Sequence, residues 1–473
     1  MGKYDAIVIG SGPNGLAAGI TLQREGYRVL IIEGKDTIGG GLRTLPLTLP
    51  GFQHDVCSAV HPMAAGSPFF RTLPLQEFGL EFLYPEICAA HPLTDGNTGA
   101  LYASMELTAK TLGEDEARYL KLFQPLVANW PKIENSLLGP LQIPRHILPM
   151  IGFGLKALEP AGYFARRFKS AAAKALWAGM AAHSIMPLHQ PATSAIGLVL
   201  MIQAHIMGWP IPKGGSQSIA NAMAAYFKSL GGEITTGFYV TKLSELPESK
   251  CVLFDTTPKQ LLTIAGHKLS SIYKWQIKRY RHGPGVFKID WALSGPVPFK
   301  DEACRKAGTI HLGNTMEEIL HSESEIAKGR ISGTPFILLS QPSVWDPTRA
   351  PEGKHALWGY CHVPHGSRED YTTLIENRIE QFAPGFRNLI LSRHVMTAAD
   401  MEEYNPNYPG GDINNGMQSL DQIFTRPALR LSPYKTSARG LFLCSSATPP
   451  GGGVHGMCGY HAARKAMDYL KSL

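Results

Sequence analysis

Three glycines near the N-terminus have the spacing that binds the pyrophosphate of a dinucleotide. The segment GSGPNG places Gly10, Gly12 and Gly15 in the pattern G-x-G-x-x-G. The apolar run Ala6–Ile9 before them is typical of a buried strand, and Leu16–Glu25 after them has the composition of a helix. In such a unit the first glycine permits a tight turn, the second lets the backbone approach the pyrophosphate, and the third allows close packing of helix on strand.

A second apolar run and an acidic residue complete this pattern. Arg28–Ile32 predicts a second strand, which ends on Glu33. An acid at this place accepts hydrogen bonds from the ribose of an adenosine. A strand–helix–strand unit without a nucleotide is the alternative. Strand, glycines, helix, strand and acid nevertheless follow in the expected order from residue 4 onward, which favours a dinucleotide.

A second glycine cluster follows the acid and favours a flavin dinucleotide. The segment IGGGLRT contains Gly39, Gly40, Gly41 and Arg43. A domain that binds only NAD has no need of further permissive backbone here. The longer flavin dinucleotide needs more close backbone approach along its phosphate and ribityl groups. A surface turn is the alternative interpretation of this cluster.

The far end of the chain is also rich in glycine. Gly440–Cys444 predicts a strand beside the first two, the loop Pro449–Gly453 contains two prolines and three glycines, and Ala462–Met467 has helical composition. Such a loop lets backbone N–H groups reach a flavin, and the helix after it directs its positive end toward the cofactor. A flexible linker is the alternative, which the prolines and the helix disfavour.

These segments together resemble the phytoene desaturase family of FAD-dependent oxidoreductases, and most closely its bacterial phytoene dehydrogenase-related branch. The resemblance lies in VIGSGPNGLAAGITLQREGYRVLIIE, GGGLRT, PGFQHDVCSAVHP, PKGGSQSIANAMAAYFKSLGGEITTG and GLFLCSSATPPGGGVHGMCGYHAA. It implies an α/β fold, with a Rossmann-type FAD-binding domain assembled from discontinuous segments and a helical plus β-sheet substrate domain. It also implies oxidation or isomerisation of a polyene or another lipophilic molecule, with hydride transfer to the flavin and reoxidation by dioxygen, a quinone or a partner.

The resemblance also implies a division of the chain. FAD-binding segments are expected at 1–90, 212–270 and 425–473, a helical substrate- and membrane-facing subdomain at 91–211, and a β-rich substrate domain at 271–424. The block after residue 212 predicts a helix over Ser216–Leu230 and a strand over Ile234–Val240, whose end would lie near the adenine. The expected cofactor-binding residues are Gly10, Gly12, Pro13, Asn14, Gly15, Glu33, Gly40, Gly41, Leu42, Arg43, Val240, Thr256, Ser446, Gly452, Gly453 and Val454.

Few side chains are candidates for proton transfer. The segment FQHDVCSAVHP, which passes near the flavin in the resembled family, offers His54, Asp55 and His61. Lys288 is a candidate for a hydrogen bond near flavin N5, and His455 lies beside the C-terminal glycine loop. These five residues are the expected catalytic candidates, although a structural role is the better expectation for any one histidine.

Residues 283–420 predict a sheet. The segment GVFKIDWALSGPV alternates, with apolar residues on one face and Lys288 and Asp290 on the other. We expect this sheet to form the floor of a substrate cavity. The turn-dense segment Asn405–Gly416 is a candidate border of the site, and a plain surface loop is the alternative.

A basic segment suggests a membrane surface as a partner. Residues 145–174 contain six basic residues against Glu159 alone. The segment PAGYFARRFKSAAAKALWAGM predicts an amphipathic helix with Phe164, Phe168, Leu176 and Trp177 on its apolar side. A solvated basic face over a helical core is the alternative. No segment has the length and hydropathy of a transmembrane helix, so we expect a cytoplasmic protein with peripheral membrane association.

Composition excludes several other classes. The net charge of +7 comes without runs of Lys and Arg interleaved with aromatic residues, which argues against nucleic acid. Seven cysteines without CxxC spacing argue against zinc, iron–sulfur and redox-disulfide sites, and we expect no metal. No second G-x-G-x-x-G follows a strand, so no NAD(P)-binding domain is expected beside the FAD domain. A flavin amine oxidase and a non-catalytic prenyl-binding relative of the same fold are the alternatives.

Overall fold

Two large β-sheets organise the chain. The computed structural model describes residues 3–423 and 425–473. Within them the strands are β1 (Tyr4–Ile9), β2 (Val29–Ile32), β3 (Thr44–Leu45), β4 (His54–Asp55), β5 (Phe82–Leu83), β6 (Ile87–Pro92), β7 (Thr98–Leu101), β8 (Ile211–Pro212), β9 (Glu233–Thr235), β10 (Ser249–Phe254), β11 (Gly285–Leu293), β12 (Ala307–Leu312), β13 (Ile337–Ser340), β14 (His355–Val363), β15 (Ile390–Met396) and β16 (Leu441–Leu443).

Helices cover both sheets. In the same described residues they are α1 (Pro13–Arg24), α2 (Pro62–Gly66), α3 (Met105–Thr111), α4 (Glu116–Leu137), α5 (Ile147–Ala157), α6 (Ala161–Phe164), α7 (Ala171–Ala182), α8 (Ser194–Met207), α9 (Gln217–Ser229), α10 (Pro258–Ala265), α11 (Ser271–Lys278), α12 (Glu302–Arg305), α13 (Met316–Ala327), α14 (Thr372–Phe382), α15 (Ala398–Tyr404), α16 (Leu420–Ile423) and α17 (Met457–Leu470).

The first sheet is parallel and gathers strands from distant parts of the chain. Its order in the described residues is β16-β10-β1-β2-β9, and Val8 pairs with Ile31 of β2 on one side and with Leu253 of β10 on the other. Every residue of β1 and β2 is buried, as expected for strands covered on both faces. Helices α1, α9 and α17 pack on one face and α10 and α11 on the other.

Glycines allow the closest contacts in this layer. A Cβ on Gly459 of α17 would lie 1.9 Å from the carbonyl oxygen of Asn14 in α1, and a Cβ on Gly15 would lie 2.1 Å from the carbonyl oxygen of Gly10. Real Cβ atoms do not approach this closely, so helix α1 reaches both its strand and α17 only because these positions lack a side chain. The C-terminal helix is thereby fixed against the N-terminal glycine loop.

The second sheet has the order β15-β11-β14-β13-β12-β6-β7 and is antiparallel except for the β12–β6 pair. The predicted alternation in β11 is confirmed. Phe287, Ile289 and Trp291 join an apolar core with helix α14, while Lys288 and Asp290 lie on the opposite face, beneath the helical layer. One face of this sheet is therefore an ordinary core, and the other carries titratable groups.

The predicted amphipathic helix at residues 160–180 is wrong. The chain there breaks into α6, a short 3-10 turn and α7. The aromatic residues assigned to a lipid-facing side are buried: Phe164 stacks on Trp177 with ring centroids 4.0 Å apart, and the Trp177 Nε1–H donates to the Ala161 carbonyl at 2.9 Å. Arg167 forms an ion pair with Glu159 at 2.6 Å, so the one acid of the segment neutralises part of its charge.

Two further expectations differ from the structure. The strand predicted over 234–240 ends at Thr235, because the chain turns at Gly237, whose φ is +70° and whose N–H donates to the Lys35 carbonyl. The segment 91–211 is not wholly helical, since β6 crosses its predicted start and β7 lies within it, both in the second sheet. No helix formed by residues 3–423 or 425–473 combines the length and hydropathy that crossing a bilayer requires.

Two helical glycines test how much the fold depends on close backbone contact. Gly459→Ala places a methyl group against the Asn14 carbonyl, so we expect a loss of stability of about 1–3 kcal/mol or more. Gly152→Ala in α5 meets open space and should gain up to about 1 kcal/mol from helix propensity. Thermal unfolding of both variants measures the difference. Equal melting temperatures would contradict the close packing of α1 on α17.

Candidate active site

A cavity extends from the glycine loop after β1 to the second sheet and the helices α7 and α8. Its cofactor end lies at the carboxyl ends of β1, β2 and β10, the edge where parallel sheets bind ligands. Of the expected cofactor-binding residues, those that line it are Gly10, Gly12, Pro13, Asn14, Glu33, Gly40, Gly41, Arg43, Val240, Thr256, Ser446, Gly453 and Val454. Residues from all three predicted FAD-binding segments therefore meet in one cavity.

The other three expected cofactor-binding residues shape the loops from behind. Gly15 packs on Gly10, as described above. Leu42 is fully buried in the core beneath α1. A Cβ on Gly452 would meet Asn414 Oδ1 at 2.5 Å. These three residues do not line the cavity, and the sequence pattern alone could not say which way each one faces.

The turn after β1 has the features that a pyrophosphate requires. Gly10 has φ of +101°, a conformation that side chains disfavour. Asn14 lines the cavity, and its Oδ1 is buried without a hydrogen-bond partner among the described residues. Gly40 approaches Gly12 so closely that a Cβ on Gly40 would lie 3.0 Å from the Gly12 Cα. This cradle of bare backbone fits the phosphates of FAD.

Glu33 is held in place by several donors. Its Oε2 accepts hydrogen bonds from the N–H and the hydroxyl of Ser11 at 3.0 and 2.6 Å, and its Oε1 accepts the N–H of Lys35 at 3.0 Å. Arg43 is 3.1 Å from the same Oε1 and also donates to the Thr37 carbonyl. Glu33 thus lines the cavity at the place where a ribose would bind, and Arg43 ties the second glycine cluster to it.

Sequence reasoning missed Asp255. This residue follows β10 and lines the cavity, with its carboxylate accepting the Gly15 N–H at 2.8 Å. Its Oδ2 occupies the space beside Gly12, where a Cβ would come within 2.8 Å of it. Burial raises the pKa of Asp255 to about 7, with a further contribution from Glu33, while the N–H groups of Gly15 and Gly12 oppose the shift.

The C-terminal loop is organised by its own buried groups. His455 Nε2 is 3.2 Å from the Gly451 carbonyl oxygen, and its Nδ1 accepts the Met457 N–H at 3.1 Å. Cys458 is fully buried, and its Sγ donates to the Thr448 carbonyl at 3.3 Å. Neither residue lines the cavity. His455 therefore shapes the loop, which corrects its assignment as a catalytic candidate.

The loop Asn405–Gly416 borders the cavity, which agrees with the first of the two interpretations of its sequence and not with a plain surface loop. Asn405, Asn407 and Tyr408 all line it. Tyr408 is buried, and its hydroxyl lies where a Cβ on Gly41 would come within 2.3 Å. The loop thus closes over the second glycine cluster.

His61 is the expected catalytic candidate that lines the cavity. Its Nε2 is 2.7 Å from Ser216 Oγ, and the Ser216 hydroxyl donates to the Ser58 carbonyl at 2.6 Å. Because that hydroxyl proton is committed, His61 Nε2 carries the proton of its own bond and Nδ1 is a free lone pair. Nδ1 is buried with no partner among the described residues, and burial lowers the pKa of His61 to about 4.

The remaining candidates lie behind the cavity wall, which corrects their expected role. Lys288 Nζ is 2.6 Å from Asp290 Oδ1 and 5.2 Å from the ring centre of Trp358, which separates it from the cavity. Burial lowers the pKa of Lys288, and Asp290 opposes the shift. His54 lies 3.6 Å from Asp290, and Asp55 forms a fully buried ion pair at 2.8 Å with Arg349. These groups support the floor of the site.

The substrate end of the cavity is formed by residues that sequence reasoning did not select. Thr309, Leu338, Trp358 and Tyr360 come from the second sheet, and His183, Ile185, Leu200 and Trp209 come from the helical layer. Alternation in HALWGYCHV would have placed Trp358 and Tyr360 on one face of β14. No local signal in the sequence distinguishes His183, because its position depends on packing of α7 against the sheet.

Comparison with known proteins agrees with this architecture. Residues 8–73 match the model of an NAD(P)-binding Rossmann-like domain. Pyridine nucleotide-disulfide oxidoreductase domain-containing protein 2 of Mus musculus is 28% identical, covering 100% of this chain and 94% of that protein. A phytoene desaturase (neurosporene-forming) of Rhodobacter capsulatus is 23% identical, covering 97% and 92%. A solved structure of a putrescine oxidase triple mutant has a TM-score of 0.63 at 16% identity and covers 99% of both chains.

The fold and the site together define an oxidoreductase with a Rossmann-type domain, which confirms the predicted α/β fold class. The chain is similar over nearly its whole length to a phytoene desaturase, in agreement with the family resemblance of its sequence. The predicted cofactor, FAD, is confirmed by these similarities and by the fit of the glycine cradle.

Asp255 should make FAD binding depend on pH. A raised pKa means that the carboxyl is neutral below about pH 7 and becomes charged above it, next to the glycine turn that would hold the pyrophosphate. We expect the affinity for FAD to fall from about pH 6 to about pH 9, by up to roughly tenfold per pH unit above the pKa. Asp255→Asn keeps an acceptor for Gly15 and should remove this dependence. Fluorescence titration of the apoprotein measures it, and parallel profiles for both proteins would contradict the assignment.

Proposed function

We propose that this FAD-dependent oxidoreductase dehydrogenates a lipophilic, polyene-like substrate in the manner of a phytoene desaturase. The observation that carries the proposal is the continuity of the cavity from the dinucleotide cradle to an apolar and aromatic wall. Ile185, Leu200, Trp209, Leu338 and Trp358 belong to that wall. An apolar wall with few polar groups suits a substrate that is held mainly by burial of hydrocarbon surface.

The charge distribution supports this substrate class over an amine. Among the described residues that line the cavity, the carboxylates are Glu33 and Asp255, both at the cofactor end. Acids near the substrate end lie behind the wall and already have partners, as Asp55 has Arg349 and Asp290 has Lys288. A substrate ammonium group would therefore lose its hydration without gaining a counter-ion, which is costly.

Dehydrogenation removes a hydride and a proton from adjacent carbons and leaves a C=C bond. FAD supplies the hydride acceptor when it is bound. We assign the proton to His61 Nδ1, the lone pair that its bond to Ser216 leaves free. Ser216 also donates its N–H to Asp55 at 2.8 Å, so the imidazole is oriented by a buried network. Dioxygen, a quinone or a partner protein would then reoxidise the cofactor.

Anaerobic reduction distinguishes the substrate classes. We expect phytoene in detergent to bleach the flavin absorbance and putrescine to leave it unchanged. His61→Ala should keep its FAD and slow bleaching by roughly 10²–10⁴-fold. His189→Ala, an exposed histidine outside the cavity, is the matched control. Bleaching by putrescine alone would favour the amine oxidase alternative, and a protein that binds no FAD would favour the non-catalytic one.

We also propose that the protein takes its substrate from an anionic membrane surface. Helix α5 and the loop before it expose a group of apolar side chains: Leu141, Ile143, Ile147, Leu148, Ile151 and Leu155. The most exposed of these are Ile143, at 90%, and Leu148, at 81%. Arg145 lies among them, and an exposed Arg166 stacks on the exposed Tyr163 ring nearby in sequence. Apolar side chains with basic neighbours suit the boundary of an anionic leaflet.

Vesicle binding tests this surface. We expect co-sedimentation with vesicles that contain anionic lipid, weaker binding as salt screens the charges, and loss of binding in the triple variant Leu148→Ser, Ile151→Ser, Leu155→Ser. The matched control replaces Ile272 and Trp275, which are exposed on α11, with serine. FAD content should stay constant in both. Binding that survives the triple variant, or is equally lost in the control, would contradict the assignment.

A further inference from the structure

The substrate end of the cavity contains an unusual group of buried imidazoles. His183 lines the cavity after α7, and its Nε2 is 3.1 Å from Nε2 of His311 on β12. His91 on β6 stands beside His311 with ring centroids 6.1 Å apart. Gly179 of α7 fits between them, since a Cβ there would lie 2.7 Å from His311 Nδ1 and 2.9 Å from His91 Nδ1. A purely apolar substrate gains nothing from such a group.

We propose that His183 is a substrate-binding residue that donates a hydrogen bond to a neutral oxygen at the end of the substrate. The preferred substrate class is therefore a long hydrocarbon chain that carries a hydroxyl or carbonyl group, which binds more tightly than a bare hydrocarbon of the same length. This inference rests on the proposed function, because it describes the far end of the same lipophilic substrate.

The direction of the hydrogen bond follows from the unpartnered atoms. His311 is fully buried, and its Nδ1 has no partner among the described residues. An orphaned buried N–H is rarer than an orphaned acceptor, so the His311 proton belongs on Nε2, where it is donated to His183 Nε2. The proton of a neutral His183 is then on Nδ1. Within the described residues this atom has no protein partner, and His183 is partly exposed where it lines the cavity.

The neighbouring histidines fix this arrangement. His91 Nε2 donates to the Asn314 carbonyl at 2.7 Å, so its own Nδ1 is a lone pair that cannot donate to His311. His362 on β14 holds Glu323 through Nδ1, at 2.9 and 3.0 Å from the two carboxylate oxygens. Glu323 is thus already paired, and it leaves the proton of His183 available to a ligand.

Charge decides which oxygen group fits. Burial lowers the pKa of His183 to about 3, with a smaller contribution from His362, and burial also lowers the pKa of His311 well below its ordinary range. Both rings are neutral near pH 7. A carboxylate would find no cation on His183 and would lose its hydration, whereas a neutral oxygen needs only one donor.

A matched pair of probes tests the inference. Farnesol and farnesene share a carbon chain and differ by the hydroxyl group. Each is titrated in detergent into the FAD-loaded protein, and perturbation of the flavin spectrum reports binding. We expect farnesol to bind roughly three- to tenfold more tightly, as one neutral hydrogen bond allows. His183→Phe should bring the ratio close to one, and His183→Gln, which keeps a donor, should restore part of it.

The outcomes distinguish failure of this inference from failure of the proposed function. His189→Phe, on the exposed part of the same loop, should leave the ratio unchanged. Equal binding of the two probes to the wild-type protein overturns the inference and leaves the proposed function standing. A preference for farnesol that persists in His183→Phe also overturns it. If neither probe perturbs the flavin spectrum, the lipophilic substrate end and the proposed function fail together. If His183→Phe does not fold, His183→Gln still tests the residue, and equal binding of the two probes to the wild-type protein overturns the inference without any variant.

Discussion

Close backbone contacts at glycines around helix α1 are the constraint on which the rest of the structure depends. Gly15 lets α1 contact the turn after β1, and Gly459 lets α17 contact α1. These two contacts bring residues more than 400 positions apart in the chain to one edge of the parallel sheet. The cradle for the cofactor exists only because both ends of the chain meet there, and side chains at either glycine would separate them.

The two faces of the second sheet differ in composition, and the face with titratable groups lies toward the site. Its outer face is an ordinary apolar core, and its inner face contains Lys288, Asp290, His311 and His362, all buried. Buried charges are tolerated because each has a partner at short distance, as Lys288 has Asp290. Removing one member of such a pair would leave an uncompensated charge under the cavity floor. The pairs therefore leave Lys288 and Asp55 with an opposite charge beside each of them under the cavity floor.

Local patterns predicted the parts of the fold that local physics determines. The strand–glycine–helix order of the N-terminus, the alternation in β11 and the turn-rich C-terminal loop all specify their structure over a few residues. Trp177 and His183 could not be placed this way, because their burial and direction come from packing of α7 against a sheet formed far along the chain. For the same reason the exposed apolar side chains are those of α5, and not the aromatic residues of α6 and α7.

The two ends of the cavity differ in their titratable groups: one end has acids and the other has histidines. At the cofactor end, the acids Glu33 and Asp255 accept hydrogen bonds from backbone N–H groups, and Glu33 also forms an ion pair with Arg43. At the substrate end, His61 and His183 have pKa values that burial holds far below neutrality. An imidazole that stays neutral offers a lone pair at one nitrogen and a proton at another. Burial thus keeps both rings neutral, which is the state that the roles proposed for His61 and His183 require.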